Sequence, residues 1–264
     1  MTTNIEWVIN QDGSKGETWN VVTGCTKIST GCRNCYAERM ARRLAGRYGY
    51  PEAPNHFDVT LHPDKLEQPL KWKKPRMVFV CSMGDLFHDD VEEEIISYIF
   101  DVIAKTPQHT YQILTKRPEA MEWFVSSYAR YIQGFPPDNI WFGVSVENQE
   151  AADERIPWLL RTPAAVHFIS AEPLLGPIDL TRFQPFCRKL DGFRSARGIL
   201  GGTVDWVIVG GETGPGAREM KTEWAYSLYQ QCQQANVPFF FKRQGDAFMG
   251  ETINLPAVRE YPDA

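Results

Sequence analysis

Seven short apolar runs, separated by longer segments, set the limits on how this chain can fold. They are Trp19–Gly24, Met77–Ser82, Thr110–Thr115, Ile140–Val146, Val166–Ala171, Trp206–Gly210 and Val237–Lys242. All are rich in Val, Ile, Phe and Trp, and several are almost continuously apolar, the pattern of strands buried on both faces in a parallel sheet covered by helices. Between them the period changes to that of helices. Ile95, Ile96, Ile99, Phe100 and Ile103 line one face of a helix spanning Glu92 to Lys105, with acidic Asp89–Glu94 at its positive end. Met121, Phe124, Val125, Tyr128 and Ile132 repeat the pattern after Pro118, and Ala225, Leu228, Tyr229 and Cys232 repeat it between Thr222 and Asn236. Strands alternating with helices over 264 residues predict an α/β fold, a partial (β/α) barrel of parallel strands with outer helices. The whole of 1–264 reads as one domain, with insertions at about 49–76 and 177–203.

The most chemically specific stretch follows the first run. Cys25, Cys32 and Cys35 fall within eleven residues, the last two as a Cys-x2-Cys pair ahead of a helical pattern. Thiolates this close bind soft metals or iron–sulfur clusters, or pair as disulfides. Three cysteines leave one position of a tetrahedral zinc, or one iron of a four-iron cluster, for another ligand. The remaining cysteines, Cys81, Cys187 and Cys232, stand singly; Cys81 and Cys232 read as small core residues. The N-terminal residues carry no basic-then-apolar leader, and no apolar run approaches a membrane span, so a reducing, cytoplasmic setting without membrane contact is expected. Clustered cysteines in that setting are more often metal-binding than bridged.

In parallel α/β folds functional residues gather past the C-terminal ends of strands. Here those positions hold Met83, Gly84 and Asp85 after the second run, Lys116 after the third, and Ser145 and Glu147 after the fourth. Glu172 follows the fifth, Gly210, Gly211 and Glu212 the sixth, and Lys242 and Gln244 the seventh. Taken together they predict a polar pocket around the cysteine loop. Taken singly, a carboxylate or lysine can serve a structural ion pair, and a glycine pair can be a tight turn.

Three thiolates at the mouth of a parallel barrel resemble the radical S-adenosylmethionine superfamily. The segments Thr18–Cys25, Gly31–Glu38, Trp206–Arg218 and Pro238–Lys242 are similar to a phage-type, three-cysteine branch of it, and the resemblance runs from about Trp19 to Gly245. The superfamily's common spacing has three and then two residues between cysteines, with an aromatic before the last. Here six residues separate Cys25 from Cys32, and Asn34 stands where the aromatic would be, with Tyr36 just past the last cysteine.

The resemblance implies a [4Fe-4S] cluster on Cys25, Cys32 and Cys35 as metal ligands and catalytic centre. It also implies S-adenosylmethionine as cofactor and an electron donor such as flavodoxin or ferredoxin. Met83, Gly84 and Asp85 would meet the methionine amino group. Ser145, Glu147 or Glu172 would meet ribose or carboxylate, and Tyr36, Gly210 and Gly211 would hold adenine. Lys116, Glu212, Lys242 and Gln244 would be left for substrate.

Net charge is −5, so the whole chain has no general attraction for nucleic acid. Arg39, Arg42, Arg43 and Arg47, and the segment Lys71-Trp72-Lys73-Lys74-Pro75-Arg76, nevertheless interleave basic and aromatic groups in the manner of nucleic-acid surfaces. By themselves these stretches read equally as a solvated helix face and a linker; with the resemblance to a phage-type branch they make a nucleobase or nucleic acid the expected substrate class. One alternative is a zinc-binding, non-catalytic nucleic-acid module with His56 or His62 as fourth ligand. Another is a hydrolase or isomerase using Glu147 and Glu172 as an acid/base pair.

Overall fold

A computed structural model describes residues 2–131, 136–183, 202–246 and 258–262. Nine strands are present among these residues: β1 Glu17–Trp19, β2 Val22–Thr23, β3 Thr60–Leu61, β4 Met77–Val80, β5 Thr110–Thr115, β6 Ile140–Ser145, β7 Val166–Ala171, β8 Trp206–Gly210 and β9 Phe239–Arg243. The described α-helices are α1 Tyr36–Leu44, α2 Glu93–Ala104, α3 Pro118–Tyr131, α4 Gln149–Leu159 and α5 Thr222–Ala235. Seven strands join in one sheet in the order β1-β4-β5-β6-β7-β8-β9, and β2 with β3 makes a separate antiparallel pair. The fold is α/β, and the pairings β1–β4, β4–β5, β7–β8 and β8–β9 are parallel. Two compact units divide the chain, Met1–Trp141 and Phe142–Ala264. No helix among the described residues is long and apolar enough to cross a membrane.

Every residue of β4 in the first unit is buried, as the continuous apolar run predicts. Trp7 packs edge-on against Phe79 at 4.8 Å between ring centres. Helix α2 buries Ile96, Ile99, Phe100, Val102 and Ile103 and carries Glu93 and Glu94 in its first turn, where the helix dipole favours negative charge. A smaller core of Ala37, Ala41, Tyr50 and Met83 seats α1, and Cys35 packs against it. In the second unit β7 and β8 are buried along their whole length. Helix α5 ends at Asn236 in the left-handed conformation, a residue type that tolerates it, just ahead of Pro238.

Four expectations need correction. The run Trp19–Gly24 is not one strand. Asn20 interrupts it, its side-chain oxygen accepting from the Ser82 hydroxyl (3.0 Å) and the Met83 amide (3.3 Å), and the chain then turns to pair β2 with β3. The second run stops at Val80 because Cys81 takes a left-handed φ of 54°. The last strand starts at Phe239 and not Val237, since Pro238 has no amide to give a ladder. Helix α4 was not among the expected helices. Its apolar face is built partly of Ala151 and Ala152, and Pro157 lies inside it, so the period is weak in sequence. Ile132, Cys187, Gly201 and the basic residues Arg188, Lys189, Arg194 and Arg197 lie outside the described residues. Cys81 and Cys232 are core residues, 4% and 0% exposed.

Gly24 controls where the cysteine loop leaves the strands. Its φ is +87°, its amide donates to the Met83 carbonyl at 2.9 Å, and a Cβ there would lie 2.1 Å from the Asp58 carbonyl oxygen. A side chain is excluded both by conformation and by a backbone that has no room to move. Gly24→Ala is expected to cost well over 1 kcal/mol, the scale for Ala forced to positive φ before any clash (about 1 kcal/mol). Urea unfolding measures it, and unchanged stability would contradict this account of the turn.

Candidate functional site

In the first unit the cysteine loop leaves β2 through Gly24, makes one 3-10 turn over Thr30–Cys32 and enters α1 with Cys35 as its N-cap. None of the three cysteines is in a disulfide, and all are partly accessible. The Cys25 amide donates to the Phe57 carbonyl at 3.1 Å, which ties the loop to the 49–76 insertion. The Cys25 thiol donates to the Thr26 carbonyl (3.4 Å) and accepts from Arg117 Nη1 (3.3 Å). Burial, and then the Asp85 charge, push the Cys25 thiol upward against the pull of Arg117. Burial acts the same way on Cys32, but backbone contacts from Ile28 and Ser29, the Lys116 charge and the Ser29 hydroxyl outweigh it, so this thiol is shifted downward. The Ser29 hydroxyl lies 3.7 Å from Cys32 Sγ.

Asp85, buried at 6% exposure, joins the ends of β4 and β5. Its Oδ1 accepts from the Phe87 amide (3.1 Å) and the Thr115 hydroxyl (2.7 Å). Its Oδ2 accepts from the Lys116 amide (3.1 Å) and Arg117 Nη1 (3.4 Å). The Thr115 hydroxyl in turn accepts from the Arg117 amide at 2.8 Å, fixing the turn that leads to Pro118 at the start of α3. Arg117 Nη2 donates to Thr26 Oγ1 at 2.8 Å. His88 completes the set. Its Nδ1 accepts from the Asp90 amide (3.1 Å), so its proton is on Nε2, which lies 2.8 Å from Thr26 Oγ1 and donates to it. Burial first, and the Arg117 charge second, lower the His88 pKa, which keeps the ring neutral near pH 7.

Of the residues named from sequence, Met83 is buried in the small core under α1, and its carbonyl holds Gly24. Gly84 forms a parallel bridge with Gly24. Tyr36 is 59% exposed on the first turn of α1. His62 is buried with Nε2 2.8 Å from Thr23 Oγ1. Arg117, Thr26 and His88 were not singled out from the sequence. Arg117 stood in view, adjacent to Lys116 at a strand end, whereas Thr26 and His88 gain meaning only from the fold.

The second unit has its own charged strand ends. Glu147 and Arg155, both 2% exposed, pair at 2.9 Å, and Arg155 also donates to the Ser145 carbonyl at 2.7 Å. Glu172 meets Lys242 at 2.9 Å and accepts from Ser170 at 3.2 Å. Gly210 makes room for this carboxylate, since a Cβ there would lie 2.7 Å from Glu172 Oε1. The Gly211 amide donates to the Arg243 carbonyl at 2.9 Å. Glu212 grips Arg218 through its amide (2.9 Å), Nε (3.0 Å) and Nη2 (2.6 Å), and that hydrogen bonding raises the Arg218 pKa. Gln244 Nε2 is buried without a hydrogen-bond partner among the described residues.

As a donor set, three free thiols with a guanidinium and a lysine charge beside them suit a thiolate-bound iron or zinc centre. Among the described residues no three His, Cys, Asp or Glu side chains converge closely enough to hold a metal ion. The residue types are those such a group uses, while the three sulfurs as they stand are not close enough to share one ion.

A family model described as "Protein of unknown function (DUF5131)" matches residues 2–257. Comparison with curated proteins and with solved structures returns no match.

The buried Glu147–Arg155 pair gives a direct test. Glu147→Ala leaves a guanidinium uncompensated in the core, and loss of about 3–5 kcal/mol in urea unfolding is expected. A loss under about 1 kcal/mol, the range of exposed pairs, would mean that the pair is not structural.

Proposed function

We propose that this chain, which belongs to the DUF5131 family, is a radical S-adenosylmethionine enzyme on a partial (β/α) barrel, with a [4Fe-4S] cluster on Cys25, Cys32 and Cys35. The observation that carries the reading is the cysteine loop. Three free, partly accessible thiols leave the strand layer on one connection, one accepting from a guanidinium and one shifted toward the thiolate. When bound, such a cluster, reduced by a donor such as flavodoxin or ferredoxin, would pass one electron to S-adenosylmethionine, whose C5′–S bond then breaks to methionine and a 5′-deoxyadenosyl radical.

The residues around the loop serve such chemistry in definite ways. Gly24 and the bridge to Gly84 fix where the loop emerges. The Met83–Asp85 strand end is where the methionine ammonium would be met, while the Asp85 carboxylate, already accepting four hydrogen bonds, orients Arg117. Packing of Cys35 against Ala37, Ala41, Tyr50 and Met83 gives the far end of the loop an apolar, water-poor seat.

For substrate, the surface beside the loop favours a nucleobase or nucleic acid. Arg33, Arg42, Arg43 and Arg47 are exposed, as are Tyr36 and Tyr48 at 59% and 73%. Cations interleaved with open aromatic faces suit a phosphate backbone and stacking bases. Binding of a single-stranded oligonucleotide that weakens as salt rises is expected, and its absence at low salt would count against this substrate class.

The function itself is tested on anaerobically reconstituted protein. The reduced electron paramagnetic resonance spectrum is expected to change when S-adenosylmethionine is added, with release of 5′-deoxyadenosine, and both effects to vanish in a variant with all three cysteines replaced by Ala. A spectrum indifferent to S-adenosylmethionine, with no 5′-deoxyadenosine, would overturn the proposal.

A further inference from the structure

We infer that Arg117 is the positioning residue of the cysteine loop, a largely shielded fork braced by Asp85 that holds Cys25 and Thr26 in place from the end of β5. The side chain is only 10% exposed, so its charge needs a partner, and Asp85 Oδ2 at 3.4 Å provides one. Asp85 is itself immobilised by the Thr115 hydroxyl and by the Phe87 and Lys116 amides. With its base fixed, the guanidinium spans two loop residues at once. Nη1 donates to Cys25 Sγ at 3.3 Å, and Nη2 donates to Thr26 Oγ1 at 2.8 Å and the Thr26 carbonyl at 3.4 Å. His88 Nε2 meets the same threonine hydroxyl from another direction. A planar group with several fixed donors can make this set of contacts, and a lysine ammonium on the same stem cannot.

The far end of the loop has independent anchors. The Cys32 and Arg33 amides close the 3-10 turn on Ser29 and Thr30, and Cys35 caps α1. At the near end Gly24 is tied to Met83, the Cys25 amide to Phe57 and the Thr26 hydroxyl to His88, and among the described residues the Arg117 fork is the contact that reaches the Cys25 sulfur from outside the loop. Arg117 therefore governs where the first sulfur sits relative to the other two. A second consequence rests on the function proposed above. A guanidinium N–H on a ligating sulfur stabilises added negative charge, so it raises the cluster's reduction potential.

Two measurements on the full-length chain test this, and the first needs no metal. In hydrogen exchange without added iron, Arg117→Gln is expected to speed exchange of the Cys25 amide at least tenfold while the β4 and β5 amides stay protected. Arg117→Lys, which keeps the charge and loses the fork, is expected to fall between Gln and wild type. Should Arg117→Gln fail to fold, Thr26→Val, which removes one acceptor of the fork, is expected to speed the same amide by a smaller factor. Cys25 exchange within twofold of wild type in folded Arg117→Gln, or in Thr26→Val where the first variant does not fold, overturns the positioning role.

In the iron-loaded protein, Arg117→Gln is expected to lower the reduced fraction at least tenfold at a fixed potential, with the Lys variant nearer to wild type. An unchanged potential overturns the role of the N–H···S bond. Failure of the wild type to load iron would count against the proposed function alone, and the exchange result would still decide the positioning role.

Discussion

The carboxylate of Asp85 is the interaction on which the rest of the first unit's site depends. Two parallel strands, β4 and β5, end side by side, and their terminal amides and side chains need acceptors that the ladder no longer provides. One buried carboxylate takes four of these donors and, in doing so, holds the guanidinium of Arg117 over the cysteine loop. Take away the carboxylate, and Arg117 becomes a largely shielded charge that has lost its anionic partner. Take away Arg117, and the near end of the loop keeps its backbone bonds to Met83 and Phe57 and the His88 contact on Thr26 but loses the hold on the Cys25 sulfur. Local polar satisfaction and loop placement are thus the same set of bonds.

Charged strand ends in the second unit follow a different logic. Glu147 with Arg155 and Glu212 with Arg218 are carboxylate–cation pairs made within a few residues of the chain, and Glu172 with Lys242 is one that reaches from the end of β7 past β8 to β9. Such pairs stabilise a polar rim without committing any of their members to catalysis, since a carboxylate already holding a cation is poorly placed to take or give a proton. The Glu172–Lys242 pair keeps the most access to solvent, with side chains 17% and 24% exposed, whereas Glu147 and Arg155 are closed off. The room made by Gly210 for Glu172 shows that this end of β8 is shaped by a side chain just past the end of β7.

Much of the fold could be read from residue pattern because buried parallel strands need continuous apolar runs and their helices need one apolar face. Met77–Val80, Thr110–Thr115, Val166–Ala171 and Trp206–Gly210 follow from that rule, as do α2 and α5. The rule fails where a polar side chain competes for backbone groups, as Asn20 does, or where a helix buries alanines and tolerates a proline, as α4 does. The cysteines were legible because three thiols in eleven residues have few other uses. The Arg117–Thr26–His88 contacts were not. Their members are 62 and 91 residues apart in the chain, and only the parallel register brings them together. Family membership adds no chemistry, since the family's own description assigns none.

The metal content of the protein tests most directly the proposed iron–sulfur cluster on the loop from Cys25 to Cys35. Protein purified without oxygen is assayed for iron, acid-labile sulfide and zinc, beside a variant lacking all three cysteines. The account predicts about four irons and as many sulfides per chain, the inventory of a four-iron cluster, and none in the variant. A colourless protein carrying one zinc would contradict it, and the loop would then be a structural knob of the kind that thiolate-bound zinc builds.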